Sequence, residues 1–247
     1  MCFDNELSSQ ILLSECPTLR WLEPLDLPTP RLHGYGLHGD PQYEVDVAYI
    51  IIDRLPGRPF DSAAASQEQK SKALCQWADV LYKLGKHPFD MIGSLEFDAN
   101  GVINVGPIAS DRSETLPCIE PFESARDCYS SRANAHLELI TNNQPFSAYS
   151  VYACLMFKLL EEQVKTSPWL KKWHGLNSEP FFLRHADGKG DHILIDGDFQ
   201  ITDIIDCWTF TRTAPAYEAF SPLLTSANNS NLFNGIPGLI EDDRILG

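Results

Sequence analysis

The feature that most constrains this 247-residue chain is a series of short apolar strands, each ending in an acidic loop, between Phe181 and Asp206. The apolar segment at 181–183 leads into a loop with His185 and Asp187, and Ile204-Ile205 leads directly into Asp206. Acids in two adjacent loops can converge at the mouth of one sheet. This arrangement suits phosphoryl transfer, in which one carboxylate deprotonates the attacking hydroxyl and the other holds the metal ion that bridges the phosphates.

The spacing in this region fits a His-x-Asp catalytic loop in which an Asn is expected five positions after the Asp. His185 and Asp187 fit the pattern, whereas position 192 is His rather than Asn. Each residue also has a structural interpretation. His185 and His192 can be hydrogen-bonded framework residues, and Asp187 can cap a turn.

Charge and cysteine content narrow the class of protein. Asp and Glu outnumber Lys and Arg by 34 to 19, so the formal net charge is −15. Such a surface repels nucleic acid and anionic membranes, and it is compatible with a cationic small-molecule substrate. Seven scattered cysteines without a Cys-x-x-Cys pair indicate reduced thiols in the cytoplasm.

Apolar periodicity predicts the helices. A Ser66-x-x-Gln69 capping box starts one of them, and Gly85 ends it. The helix over 147–166 is strongly apolar and is expected at the centre of the core. The predicted helices are 11–25, 66–86, 123–141, 147–166 and a short one near 217–224.

Alternating or continuous apolar runs bounded by turn residues predict the strands. The run at 45–52 is entirely apolar near its end and is expected to be a buried strand that leaves its sheet through Pro56-Gly57. Trp77, Phe181 and Phe182 are expected in the core. The predicted strands are 31–35, 45–52, 181–183, 192–195 and 200–205, with a hairpin over 92–105.

These motifs resemble the aminoglycoside phosphotransferase-like family, especially its large fungal set. The segments that carry the resemblance are His185-x-Asp187-x-Lys-Gly-Asp-His-Ile-Leu, Ile204-Ile205-Asp206 and the strand at 49–59 with its Leu-Pro-Gly-Arg-Pro exit. The resemblance covers nearly the whole chain. It implies an α+β, protein-kinase-like two-lobed fold with a truncated N-terminal lobe and a mainly helical C-terminal lobe.

The resemblance also implies roles for individual residues. Asp187 would be the catalytic base, with His185 bracing its loop. Asp206 and His192 would bind Mg²⁺ or, because imidazole suits it better, Mn²⁺. ATP would contact the backbone of Ile52, Asp53 and Leu55, and Glu15 would pair with an ATP-anchoring Lys.

The same comparison predicts residues 1–55 as a partial N-lobe ending in the hinge strand, and 56–247 as the C-lobe. Only 14 residues precede Glu15, so the phosphate-gripping loop and the Lys are expected to be missing and ATP binding to be weak. The resemblance predicts ATP-dependent phosphorylation of a small-molecule hydroxyl, with loss of this activity in the chain as given left open. The alternatives are a kinase-like binding or regulatory protein without catalysis, a metallohydrolase using His185, Asp187, Asp191 and His192, and a truncated gene model of an active enzyme.

Overall fold

A computed structural model describes the chain at residues 5–39, 41, 47–62, 64–109, 119–142, 150–167, 180–185, 192–205 and 212–220. The helices are α1 Asn5–Leu22, α2 Gln67–Leu84, α3 Ala125–Thr141, α4 Ser150–Thr166 and α5 Ala216–Ala219. The strands are β1 Leu32–Gly36, β2 Tyr49–Ile52, β3 Arg58–Pro59, β4 Ser94–Phe97, β5 Ile103–Gly106, β6 Phe181–Arg184, β7 Ile193–Ile195, β8 Ile201–Ile204 and β9 Arg212–Pro215.

The chain divides into two compact units. The first comprises Met1–His87, His185–Thr211 and Phe220–Gly247, and the second Pro88–Arg184 and Arg212–Ala219. No described helix is both long enough and apolar enough to cross a membrane.

In the first unit, α1 packs against the antiparallel pair β1–β2. Leu19 and Leu22, one helical turn apart, are both buried on this helix. A second sheet has the order β3-β7-β8, with antiparallel pairing throughout. The backbone N–H of Ile204 in β8 donates to the C=O of Pro28 at 2.7 Å, which ties this sheet to the segment between α1 and β1.

Helix α2 begins and ends as its sequence predicts. The Ser66 hydroxyl accepts from the backbone N–H of Gln69, and the Gln69 side chain accepts from the N–H of Ser66 at 2.8 Å. The two bonds satisfy donors that the first helical turn leaves open. Leu74, Trp77 and Leu84 are buried along one face, and Gly85 caps the C-terminus.

In the second unit, β4 and β5 form the predicted hairpin, and β6 pairs with β9. Helices α3 and α4 pack on each other. Phe181 is fully buried in a core cluster with Ile92, Ile108 and Cys128. The core assignments of Trp77, Phe181 and Phe182 are thus confirmed.

Two burial predictions are wrong. Strand β2 is not a buried strand, since Ile51 is 53 % and Ile52 is 37 % exposed. Its sheet contains only β1 and β2 within the described ranges, so part of the ribbon faces outward. Helix α4 has no buried residue and exposes large apolar side chains, among them Val151, Leu155 and Leu159. Its contact with α3 covers only one side, so its apolar composition did not imply a central position.

Candidate functional site

The segment after β2 is anchored at both ends. At its start, the backbone N–H of Asp53 donates to the C=O of Arg31 at 3.2 Å. At its end, the Thr202 hydroxyl in β8 donates to the C=O of Pro56 at 2.9 Å. We call residues 53–56 the hinge segment. These two bonds fix the segment against β1 on one side and β8 on the other.

Gly57 permits this close approach. Its φ is +101°, a backbone conformation that residues with a side chain rarely adopt. A Cβ at this position would lie 2.5 Å from Thr202 Oγ1 and 2.9 Å from the C=O of Ile195. The glycine therefore brings the chain from the hinge segment into β3, which pairs with β7.

The carboxylate of Asp53 holds the start of the hinge segment. The register of β1 shifts between Leu32 and Gly34, and His33 at this irregularity lies 2.6 Å from Asp53 Oδ1 through Nε2. The Arg31 backbone N–H donates to Asp53 Oδ2 at 3.2 Å. The hydrogen bond to His33, followed by that from Arg31, keeps the pKa of Asp53 below its usual range.

The hinge segment presents an open backbone edge. Within the described ranges, neither the C=O of Asp53 nor the N–H of Leu55 makes a hydrogen bond, although the Asp53 N–H and the Pro56 C=O do. Leu55 is half-buried. An acceptor and a donor two residues apart form a pattern that a planar heterocycle with a matching donor and acceptor can bind.

Asp203 is a buried acid beside this segment. It pairs with Leu194 across β7–β8 and is 7 % exposed. Burial, reinforced by the charge of Asp53, raises the pKa of Asp203 to about 6. Asp203 was not predicted as a site residue. Its position within the predicted strand 200–205, among three isoleucines, was the sequence feature that could have identified it as a buried acid.

The two predicted histidines lie together. Their rings stack with centroids 4.2 Å apart and an interplanar angle of 26°. Trp77 of α2 meets both rings edge-on, at 6.2 Å from His185 and 5.6 Å from His192. His192 is only 2 % exposed. The participation of Trp77 was not predicted, because periodicity identified it only as a core residue.

This stack joins the two residues that flank the predicted catalytic loop, residues 186–191, in the sequence. The backbone N–H of Ile205 donates to the C=O of His192 at 2.8 Å. The residue before Asp206 and the residue that ends the loop of Asp187 are therefore neighbours. Asp187 and Asp206 themselves lie outside the described residues, as does Asp191.

Glu15, predicted to pair with an ATP-anchoring Lys, is half-buried on α1, which packs against β1 and β2. No group of three or more His, Cys, Asp or Glu residues in the described ranges is arranged to hold a metal ion. His192 alone of the two predicted metal ligands is described, so the metal assignment stays a prediction.

Comparison with known proteins identifies the family. No curated protein matches the chain at a significant level. The profile of the phosphotransferase enzyme family, however, matches residues 8–233, a range that includes most of α1, the hinge segment and both predicted loops. This family has a protein-kinase-like fold, consistent with the mixed helices and strands described above. The chain therefore belongs to the phosphotransferase enzyme family.

Proposed function

We propose that the chain binds ATP at the hinge segment and transfers its γ-phosphoryl group to a hydroxyl of a small molecule. The observation that carries the proposal is the open backbone edge formed by the Asp53 C=O and the Leu55 N–H. Adenine donates from its exocyclic amino group and accepts at the adjacent ring nitrogen. It is therefore complementary to an acceptor followed by a donor.

The residues next to the two predicted loops support the assignment of catalysis to Asp187 and Asp206. The stacked pair His185–His192 and the bond from Ile205 to His192 bring together the described residues that border the segments of Asp187 and Asp206 in the sequence. In this proposal Asp187 accepts the proton of the attacking hydroxyl, and Asp206 binds the metal ion. Residues 1–55 and 56–247 would then act as the two lobes on either side of the nucleotide.

A divalent ion would supply charge neutralisation on the phosphates. Asp206 provides an oxygen ligand that suits Mg²⁺, and the imidazole of His192 shifts the preference toward Mn²⁺. The substrate class is less constrained. A net charge of −15 is compatible with a cationic acceptor, since it attracts cations to the protein surface.

One observation favours a second candidate, a kinase-like binding protein without phosphotransfer. His192 is 2 % exposed and packed against His185 and Trp77, which is typical of a framework side chain. If its imidazole does not reach the metal, Asp206 would lack its second protein ligand. Nucleotide binding at the hinge segment would remain, whereas transfer would be slow.

The test is nucleotide binding followed by turnover. Calorimetry with ATP and ITP comes first, because hypoxanthine reverses the donor–acceptor pattern of adenine. We expect ATP to bind at least about tenfold more tightly than ITP, which corresponds to about 1.4 kcal/mol in the free energy of binding. Equal affinity for the two nucleotides would exclude hinge recognition.

Turnover is then measured as ADP release with a panel of amino alcohols and aminoglycosides, in Mg²⁺ and in Mn²⁺. Asp187→Asn should abolish release while leaving ATP affinity within about threefold, because the base acts on the acceptor. Asp198→Asn, an exposed acid in the turn between β7 and β8, is the matched control. ATP binding without turnover on any acceptor would select the binding protein.

A further inference from the structure

Two arginines share one carboxylate in the second unit. Arg184 Nη1 donates to Glu218 Oε1 at 2.6 Å, and Arg212 Nη2 donates to the same oxygen. The Tyr129 hydroxyl donates to Glu218 Oε2 at 2.8 Å and lies 2.7 Å from the hydroxyl of Tyr217. Both oxygens of this single acid are therefore already engaged.

The positive charge in this cluster exceeds the negative charge. Arg132 lies one turn beyond Tyr129 on α3, on the same face of the helix. Arg184 and Arg212 thus share one carboxylate, and Arg132 lies close enough for its charge to act on Arg184. These three guanidinium groups and the one carboxylate together carry an excess of two positive charges, in a chain whose net charge is −15. Guanidinium groups carry five N–H donors each, far more than two carboxylate oxygens can accept.

The pKa values of Arg184 and Tyr129 respond to the other charges in this cluster. Burial, with the charges of Arg212 and Arg132, lowers the pKa of Arg184 despite the opposing effect of Glu218. Burial and the charge of Glu218 raise the pKa of Tyr129, which therefore stays a neutral donor.

The cluster is accessible from solvent. The side chain of Arg184 is 33 % exposed, that of Glu218 is 18 % exposed, and Tyr217 is 38 % exposed. Arg212 is held more deeply, with 9 % of its side chain exposed, and it also donates to the C=O of Thr213. Arg212 and Glu218 therefore form a fixed base, while Arg184 and Arg132 can meet a ligand.

We propose that Arg132, Arg184 and Arg212, positioned by Glu218, form a binding site for a phosphate group. An excess of two positive charges matches a phosphate dianion better than a singly charged carboxylate. Guanidinium forks also match the geometry of phosphate oxygens. The site lies in the second unit and is distinct from the hinge segment, so it does not depend on the proposed phosphotransfer.

The experiment measures phosphate binding without nucleotide. The melting temperature and calorimetric affinity are determined with inorganic phosphate, glycerol 3-phosphate and acetate, each against NaCl at equal ionic strength. We expect phosphate to stabilise the protein more than chloride or acetate. Binding of glycerol 3-phosphate as well would identify a phosphate ester as the ligand, and binding of inorganic phosphate alone would identify the free anion.

Variants test the residues. Arg184→Gln and Arg132→Gln should each weaken phosphate binding at least about tenfold, and Arg184→Lys should retain part of it. Arg20→Gln, an exposed arginine paired with Glu23 in the first unit, is the control and should change nothing. If Arg184→Gln does not fold, Arg132→Gln alone decides. Equal effects of phosphate, acetate and chloride, or unchanged affinity in Arg132→Gln, would overturn the proposal.

Discussion

The imidazole rings of His185 and His192 lie face to face at 4.2 Å, and they flank the loop that contains Asp187. The indole of Trp77 covers the edges of both rings. Two side chains seven positions apart, one on each side of this loop in the sequence, thus make a ring contact with each other. The integrity of this contact should matter for both stability and metal binding.

Removing the ring of His192 should destabilise the protein. With the side chain 2 % exposed, His192→Ala leaves a cavity against His185 and Trp77, and we expect a loss of about 2–4 kcal/mol in the free energy of unfolding. Urea denaturation measures it. His87→Ala, at an exposed position, should cost less than about 1 kcal/mol. A similar loss in both variants would contradict the packing role.

Replacing His192 with Asn tests the metal assignment. An amide oxygen suits Mg²⁺ better than an imidazole nitrogen, whereas Mn²⁺ accepts both. If His192 binds the metal, His192→Asn should shift the ratio of Mg²⁺ to Mn²⁺ affinity toward Mg²⁺ by about tenfold, as measured by titration in the presence of ATP. An unchanged ratio would place His192 outside the metal's coordination sphere.

Asp203 should make stability depend on pH. Its pKa is about 6 in the folded protein, above the ordinary 3.8, so the unfolded chain loses this proton first as the pH rises. Asp203 therefore lowers stability progressively between about pH 4 and pH 6, by up to about 3 kcal/mol, and the penalty persists above that range.

Asp203→Asn removes this ionisation. The variant should be more stable than the wild type at pH 7 and similar to it at pH 4, where both side chains are neutral. Asp198→Asn on the same hairpin is exposed and should follow the wild-type profile. Thermal melts at several pH values provide the comparison, and parallel curves for wild type and Asp203→Asn would refute the prediction.

Gly57→Ala should disturb the exit of the hinge segment. The alanine would carry both a positive φ and a Cβ within 2.5 Å of Thr202 Oγ1 and 2.9 Å of the Ile195 carbonyl oxygen. We expect a loss of about 2–4 kcal/mol. Gly101→Ala is the control, because Gly101 also has a positive φ, +76°, but a Cβ there would meet no other atom within 4 Å. Its loss in the free energy of unfolding, about 1 kcal/mol, therefore reports the backbone strain alone. Equal losses would mean that contact with β7 and β8 is unimportant.

Asp53→Asn should affect nucleotide binding more than folding. The pair with His33 is solvent-exposed, so the melting temperature should change little. The hinge segment would lose its carboxylate anchor, and ATP affinity should fall by about three- to tenfold. Asp79→Asn, an exposed acid on α2, serves as the reference for charge removal. Unaltered ATP affinity would separate the Asp53 carboxylate from the nucleotide site.

Local signals predicted much of this fold. The capping box at Ser66 and the terminal Gly85 gave α2 its ends, and Asn100-Gly101 marked the hairpin β4–β5. Such signals succeed because the residues involved satisfy backbone groups within a few positions of themselves.

Burial and long-range pairing were not predictable in the same way. The apolar residues of α4 predicted a central helix, but exposure depends on what the rest of the chain places beside it. Strand β9 was not predicted, because its partner β6 lies about 30 positions earlier in the sequence. The sharing of Glu218 by Arg184 and Arg212 was not predicted either, because no helical or strand periodicity connects these residues. The proximity of Asp53 to Asp203 likewise arises only when the hinge segment packs beside β8.

The side chain of Gln76 has a consequence for the order in which the chain acquires its shape. Its Nε2 donates to the C=O of Phe199 at 2.9 Å, and its Oε1 accepts from the N–H of Ile201, 125 positions later. The helix that carries it leaves the ribosome long before the β7–β8 turn is synthesised. We therefore expect the late-made turn to gain its conformation only when the side chain of Gln76 is in position to bind it, and the strand β8 that follows to form after that step.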